Sequence, residues 1–141
     1  MATDVNQYLG NPNLKKANVP VEFTKEQIQE YQKCMDDPVY FIQEYMKIVS
    51  LDEGLVPFKM YDFQKTMVNT FHDNRFTICK LPRQSGKSTT IIAYLLHFVL
   101  FNPNVNVAIL ANKSSTARDI LGRLQLGYEH LPKWLQQGVI S

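Results

Sequence analysis

Apolar residues along this 141-residue chain recur at helical spacing over five stretches and run almost without interruption over two. Thr24 precedes Lys25-Glu26-Gln27 in the pattern of a capping box, and Ile28, Tyr31 and Met35 follow on one face. Asp37-Pro38 starts a second helix: Asp37 can cap it, and Pro38 takes the first position, where no amide donor is missed. Its apolar face is Phe41, Ile42, Tyr45 and Met46. Asp52-Glu53-Gly54 marks a turn, and Met60, Phe63, Met67 and Phe71 then form a stripe that predicts a helix over about 61–72.

The second half reads differently. Residues 75–80, Arg-Phe-Thr-Ile-Cys-Lys, are β-branched and aromatic and predict a strand. Residues 81–86 predict a loop, and 87–101 a helix stopped by Asn102-Pro103-Asn104. Residues 105–110 predict a second strand, buried on both faces. Ser114 or Ser115 can cap a last helix to about His130, with Ile120, Leu121, Leu124 and Tyr128 inward. Helix, strand, loop, helix, strand, helix is the order of a parallel α/β sheet. The first 20 residues, with Gly10-Asn11-Pro12-Asn13 and Pro20, read as an irregular or mobile arm. The organisation expected is an N-terminal arm and helical segment over 1–57, followed by an α/β core over 58–141.

Charge sharpens this division. The net charge of +2 conceals an acidic part and a basic part. Residues 1–73 hold seven Lys/Arg and eleven Asp/Glu, whereas residues 74–141 hold eight and two. No acid occurs between Asp73 and Asp119, while Arg75, Lys80, Arg83, Lys87, Lys113 and Arg118 fall in or near that span. Such a surface suits phosphates of a nucleotide or of a nucleic acid, and equally describes a solvated basic face. Two cysteines, Cys34 and Cys79, provide no disulfide framework, and a reducing cytoplasm is the simpler context. The start shows no basic segment followed by an apolar one, so no secretory signal is visible. The most apolar run, 91–101, falls short of the ~20 residues that a helix needs to span a bilayer.

The chemistry concentrates in Leu81-Pro-Arg-Gln-Ser-Gly-Lys-Ser-Thr89, between a predicted strand and a predicted helix. A phosphate-binding loop requires that context, because successive backbone amides and the positive end of the helix then converge on one anion. Gly86 allows close backbone approach, Lys87 would reach the β and γ phosphates, and Ser88 would offer its hydroxyl to Mg²⁺. The pattern G-x-x-x-x-G-K-[ST] places a first glycine at position 81, where this chain has Leu81. Arg83 could stabilise charge on a transferring phosphoryl group, as an arginine finger in cis, or be an exposed loop residue. A helix that happens to begin Gly-Lys-Ser also fits the spacing.

Tyr61-Asp-Phe-Gln64, Cys79 to Thr89 and Val107-Ala-Ile-Leu-Ala-Asn-Lys113 together resemble the ATPase domain of the large terminase of T4-like tailed phages. In that family the phosphate loop lacks its first glycine and carries Arg-Gln before the Gly-Lys pair, which Leu81 and Arg83-Gln84 match. The resemblance extends through Leu131-Pro-Lys-Trp-Leu135 and back to Glu26-Gln-Ile-Gln29. It implies a partial P-loop NTPase of RecA/ASCE-like type, a motor that hydrolyses ATP with Mg²⁺ to package double-stranded DNA. Gln64 then matches the glutamine of an adenine-recognising Q motif, its amide able to donate and accept. Arg83 and Lys87 match the catalytic arginine and lysine. Arg83, Gln84, Ser85, Gly86, Lys87, Ser88 and Thr89 would line the nucleotide, with Ser88 on the metal side. Asn112-Lys113 fall where related motors and helicases carry a DNA-side motif. The partners implied are DNA, a portal ring, a small terminase subunit and the remainder of the terminase chain, at the prohead portal in the host cytoplasm.

Hydrolysis in this class needs an acid for Mg²⁺ at the end of an apolar strand and a glutamate to orient water. After the loop the chain has only Asp119 and Glu129, both within a predicted amphipathic helix. The expectation is therefore the N-terminal portion of a longer protein that by itself binds nucleotide poorly and hydrolyses none. A helicase-like nucleic-acid ATPase and a nucleotide-binding or docking fragment without turnover are the competing readings.

Overall fold

The computed structural model describes residues 7–9, 11–18, 22–50, 52–83 and 86–136. Local chemistry sets the first two helices. Helix α1, Lys25–Asp36, begins at Thr24, whose Oγ1 accepts from the Gln27 amide at 3.2 Å while Gln27 Oε1 accepts from the Thr24 amide at 3.0 Å. Asp37 ends α1 and caps α2, Pro38–Tyr45, accepting from the amides of Val39 and Tyr40 at 3.0 and 3.2 Å. Both caps follow the expected scheme. The expected face of α1 holds in part: Tyr31 packs against the core and Met35 is partly buried, but Ile28 is exposed and Cys34 is fully buried. Burial holds the Cys34 thiol protonated, with its pKa raised to about 12. Glu30 joins α1 to α2 by accepting from the hydroxyls of Tyr40, at 2.7 Å, and Tyr45, at 2.8 Å. Those two bonds hold the Glu30 carboxyl below its ordinary range.

The centre of the molecule is α4, Lys87–Phe101, packed on α2 and on α3, Asp62–Asp73. Phe41, Ile42, Val68, Ala93 and Leu96 are fully buried there. Burying an aliphatic or aromatic side chain of this size stabilises a fold by about 1.5–3 kcal/mol. The long apolar run of α4 is thus a central helix with contacts on most of its circumference. His97 lies in the same core, between Phe41 and Phe101, and is 2% exposed. Its Nε2–H donates to the Cys34 carbonyl at 2.8 Å, and burial pushes its pKa below the ordinary value. The last helix, α5, Ser114–Glu129, packs on α4 with Ile120, Leu124 and Tyr128 against the core. Leu121 is exposed, contrary to expectation, and Lys113 occupies the cap position without a side-chain bond, so neither Ser114 nor Ser115 serves as cap.

Two antiparallel hairpins complete the described structure. Strands β3, Lys47–Ser50, and β4, Gly54–Pro57, pair around Asp52–Gly54, with Gly54 at a φ of +76°. Short polar–apolar alternation beside a helical stripe concealed this hairpin in the sequence. Strands β1, Gln7–Tyr8, and β2, Asn11–Lys15, lie in the segment expected to be an irregular arm. That segment is instead tied to the C-terminal turn by buried Gln136. Gln136 Oε1 accepts from the Lys15 amide at 2.9 Å, and its Nε2 donates to the Asn13 carbonyl at 2.8 Å.

The expected parallel sheet is not formed among the described residues. Segments 75–80 and 105–110 run without ladder hydrogen bonds, and Phe76, Ile78 and Leu110 are each more than four-fifths exposed. The segment 105–110, expected to be buried on both faces, is exposed along most of its length. β-Branched composition says that a segment fits a sheet; a strand exists only where a neighbour accepts its backbone bonds. The observed class is α/β, with five helices and two two-stranded antiparallel ladders among the described residues. The core draws on Cys34 to Met46 as well as on Phe58 to Leu135, so it includes residues on both sides of position 57. No helix among the described residues is long and apolar enough to cross a membrane.

Candidate functional site

The start of α4 is built on one backbone conformation. Gly86 occupies the N-cap position at φ +77° and ψ 17°, in the left-handed region that glycine adopts without steric cost. Its carbonyl turns into the helix and accepts from the Thr90 amide at 3.0 Å and the Thr90 hydroxyl at 2.8 Å. Lys87, Ser88 and Thr89 therefore form the first helical turn, whose amides have no intrahelical acceptor. No side-chain cap takes them among the described residues, and no acid stands in the first turn. Unsatisfied amides at the positive end of a 15-residue helix, beside a lysine, form an arrangement complementary to an anion. Lys87 and Thr89 are half-buried and Ser88 is exposed. Arg83, in the turn ahead of the helix, is exposed. Gln84 and Ser85 lie outside the described residues.

Gln64 is brought directly onto this turn. It is the third residue of α3 and 3% exposed, and its Oε1 accepts from the Tyr61 amide at 2.9 Å. Its Nε2 comes so close to Gly86 that a Cβ at that position would lie 2.6 Å away. Gly86 is therefore required twice, for its backbone angle and for the approach of Gln64. The acceptor half of the carboxamide is engaged within the chain, leaving the amino group as the part directed at the loop. A cavity of about 450 Å³ opens beside this contact. Ile48 and Phe58 form its apolar wall, and Lys59, Tyr61 and Phe63 its rim. The Tyr61 and Phe63 rings stack with centroids 5.9 Å apart and planes 11° from parallel, largely in solvent.

A further contact was not legible in the sequence. Arg123 of α5 donates from Nη2 to the Thr89 hydroxyl at 2.6 Å, across 34 positions of chain. No spacing rule links residues so far apart, although Gly127, one turn along α5, hints at a close helix approach. The remaining expected residues lie elsewhere. Asp119 is exposed on α5, and Glu129 accepts from Asn11 Nδ2 at 2.7 Å. Among the described residues no group of three His, Cys, Asp or Glu side chains could hold a metal ion. Asn112 and Lys113 are exposed at the approach to α5.

Residues 78–137 match the family model for the terminase large subunit, T4likevirus-type, N-terminal. Over those residues the chain is similar to the N-terminal part of the T4-like terminase large subunit. The match begins in the extended segment ahead of the loop and includes Gly86, α4, α5 and Arg123. Gln64 and the β3–β4 hairpin precede the part of the chain that the family model covers. The contact of Gln64 with Gly86 therefore joins the matched segment to structure upstream of it.

Proposed function

We propose that this chain is the ATP-binding portion of a DNA-packaging terminase. The observation that carries the reading is Gly86: its left-handed backbone opens α4 with the amides of Lys87, Ser88 and Thr89 uncapped among the described residues, in a segment of terminase sequence. The donor set fits a triphosphate with its magnesium ion. First-turn amides and the Lys87 ammonium supply positive charge, the Ser88 hydroxyl supplies an oxygen ligand, and Gly86 leaves the space that a Cβ would fill. When bound, ATP would supply the phosphoryl-transfer chemistry of the motor. Gln84 and Ser85 would add backbone donors, and Arg83 would bring a guanidinium to the terminal phosphate from the same loop. Gln64 would present its amino group to the base end while keeping its hold on Tyr61 and Gly86. Thr89 would close the phosphate end of the site.

After the loop the chain offers only Asp119, exposed on α5, and Glu129, bonded to Asn11, and neither follows an apolar strand as the Mg²⁺ acid and the water-orienting glutamate would. Binding without turnover is the expected behaviour. The test is titration of the chain with ATP in Mg²⁺ alongside Lys87→Ala, and measurement of phosphate release. Weak binding that Lys87→Ala abolishes, with release no faster than in that variant, supports the reading; binding indifferent to Lys87 removes it. Double-stranded DNA, a portal ring, a small terminase subunit and the remainder of the terminase chain are the partners this reading entails, with action at the prohead portal.

A further inference from the structure

Arg123 holds a position that fold stability alone does not explain. Its guanidinium rests on the Thr89 hydroxyl, at the third residue of α4, where the helix end carries partial positive charge. Lys87 stands two residues before. Among the described residues Arg123 has no carboxylate partner; its hydrogen bond is to a neutral hydroxyl. A second cation at the positive end of a helix raises the electrostatic energy of the fold unless an anion enters between the charges. Arg123 is exposed, and the packing of α5 on α4 places its guanidinium over the Thr89 hydroxyl. At Gly127, four residues along the same face, a Cβ would lie 2.7 Å from Met46 Cε and 3.4 Å from Leu96 Cδ2. The absence of that Cβ lets α5 sit low on the core and brings Arg123 over the first turn of α4.

Thr89 borders both the cavity that contains Gln64 and Gly86 and a smaller one, of about 130 Å³, that contains Arg123. We propose that Arg123 is a positioning residue of the nucleotide site, bonding to the phosphate nearest the nucleoside. This inference rests on the nucleotide reading above. Lys87 at the mouth of the loop serves the outer phosphates. Thr89 lies two residues further along the helix, on the side of the Gln64 cavity, so a guanidinium held there serves the α-phosphate, which ATP and ADP both carry. The same bond transmits occupancy of the loop to α5.

The test uses this chain in Mg²⁺ with ATP and with ADP, for the wild type, Arg123→Ala, Arg123→Lys and Lys87→Ala. Arg123→Ala is expected to weaken both nucleotides by the same factor, roughly three- to tenfold for an exposed charge-assisted bond, with Arg123→Lys recovering much of the loss. Lys87→Ala is expected to weaken ATP more than ADP. In the wild type, the Arg123 Nε–H resonance in a nitrogen–proton NMR spectrum shifts on addition of either nucleotide, a change that a purely structural anchor would not show. ATP affinity within twofold of wild type in folded Arg123→Ala would overturn the proposal, as would an unmoved Arg123 resonance while the amides of Gly86 to Ser88 shift. Should Arg123→Ala not fold, Arg123→Lys and the resonance decide. Should no nucleotide move any loop amide, the nucleotide reading itself falls, and this inference with it.

Discussion

Replacing Gly86 by alanine probes the join between the loop and α3, and the cost can be worked out in parts. The backbone stands at φ +77°, where an L-residue costs about 1–2 kcal/mol relative to glycine. The new methyl would lie 2.6 Å from Gln64 Nε2, closer than the atoms can remain, so the end of the glutamine must retreat. Gln64 is 3% exposed and its Oε1 holds the Tyr61 amide at 2.9 Å, so retreat strips a part-buried donor of its partner. That loss is worth roughly 1–3 kcal/mol. The two terms make Gly86→Ala destabilising by about 2–5 kcal/mol, a large share of what a domain of this size has to lose. Urea unfolding followed by circular dichroism, on wild type, Gly86→Ala, Gln64→Ala and the double variant, separates the terms. With Gln64 already shortened, Gly86→Ala should cost only the backbone part, giving a coupling of about 1–3 kcal/mol. Losses that add to within ~0.3 kcal/mol would show that Gln64 does not press on Gly86, and the geometry argued for the site would be wrong.

Two other perturbations test the core and the N-terminal hairpin. Because His97 is buried with its pKa below the ordinary value of 6.5, the folded state disfavours its charged form. The stability this contributes is present above about pH 6.5, where the unfolded chain is also neutral, and is lost as pH falls towards the folded value. Urea midpoints between about pH 7.5 and 5.5 should therefore fall further for wild type than for His97→Gln, and equal falls would count against the assignment. Gln136→Ala removes the acceptor for Lys15 and the donor to Asn13, at an expected cost of roughly 1–3 kcal/mol. Amide hydrogen exchange should then accelerate selectively over residues 11–15; acceleration spread evenly over the chain would mean the hairpin is held by something else.

What could be read along the chain was what neighbours in sequence decide. The caps at Thr24 and Asp37 depend on atoms within three residues, and both form as the residue types require. Helix α4 runs over the expected 87–101 because its start at Gly86 and its stop at Asn102 are local events. The spacing of the phosphate loop is local in the same way. Periodicity was a weaker guide to which face is buried. On α1 Cys34 is fully buried and Ile28 is exposed, and the helix meets α4 through the Cys34 carbonyl and His97, 63 residues apart.

Tertiary structure decided whatever needs a partner from afar. Segments 75–80 and 105–110 have the composition of strands, but a ladder requires a neighbouring backbone, and none pairs with them among the described residues. The N-terminal segment looked irregular, yet its strands pair, and Gln136 and Glu129 bond it to the C-terminal part of the chain. At the candidate site, Gly86 and Lys87 were visible in the sequence, whereas the pressure of Gln64 on Gly86 and the reach of Arg123 to Thr89 came only from the packing of α3 and α5 on α4. Backbone conformation and capping follow from short-range sterics and hydrogen bonds, which a sequence displays. The meeting of residues 22 and 34 positions apart follows from how apolar faces close against one another, which a sequence displays only in sum.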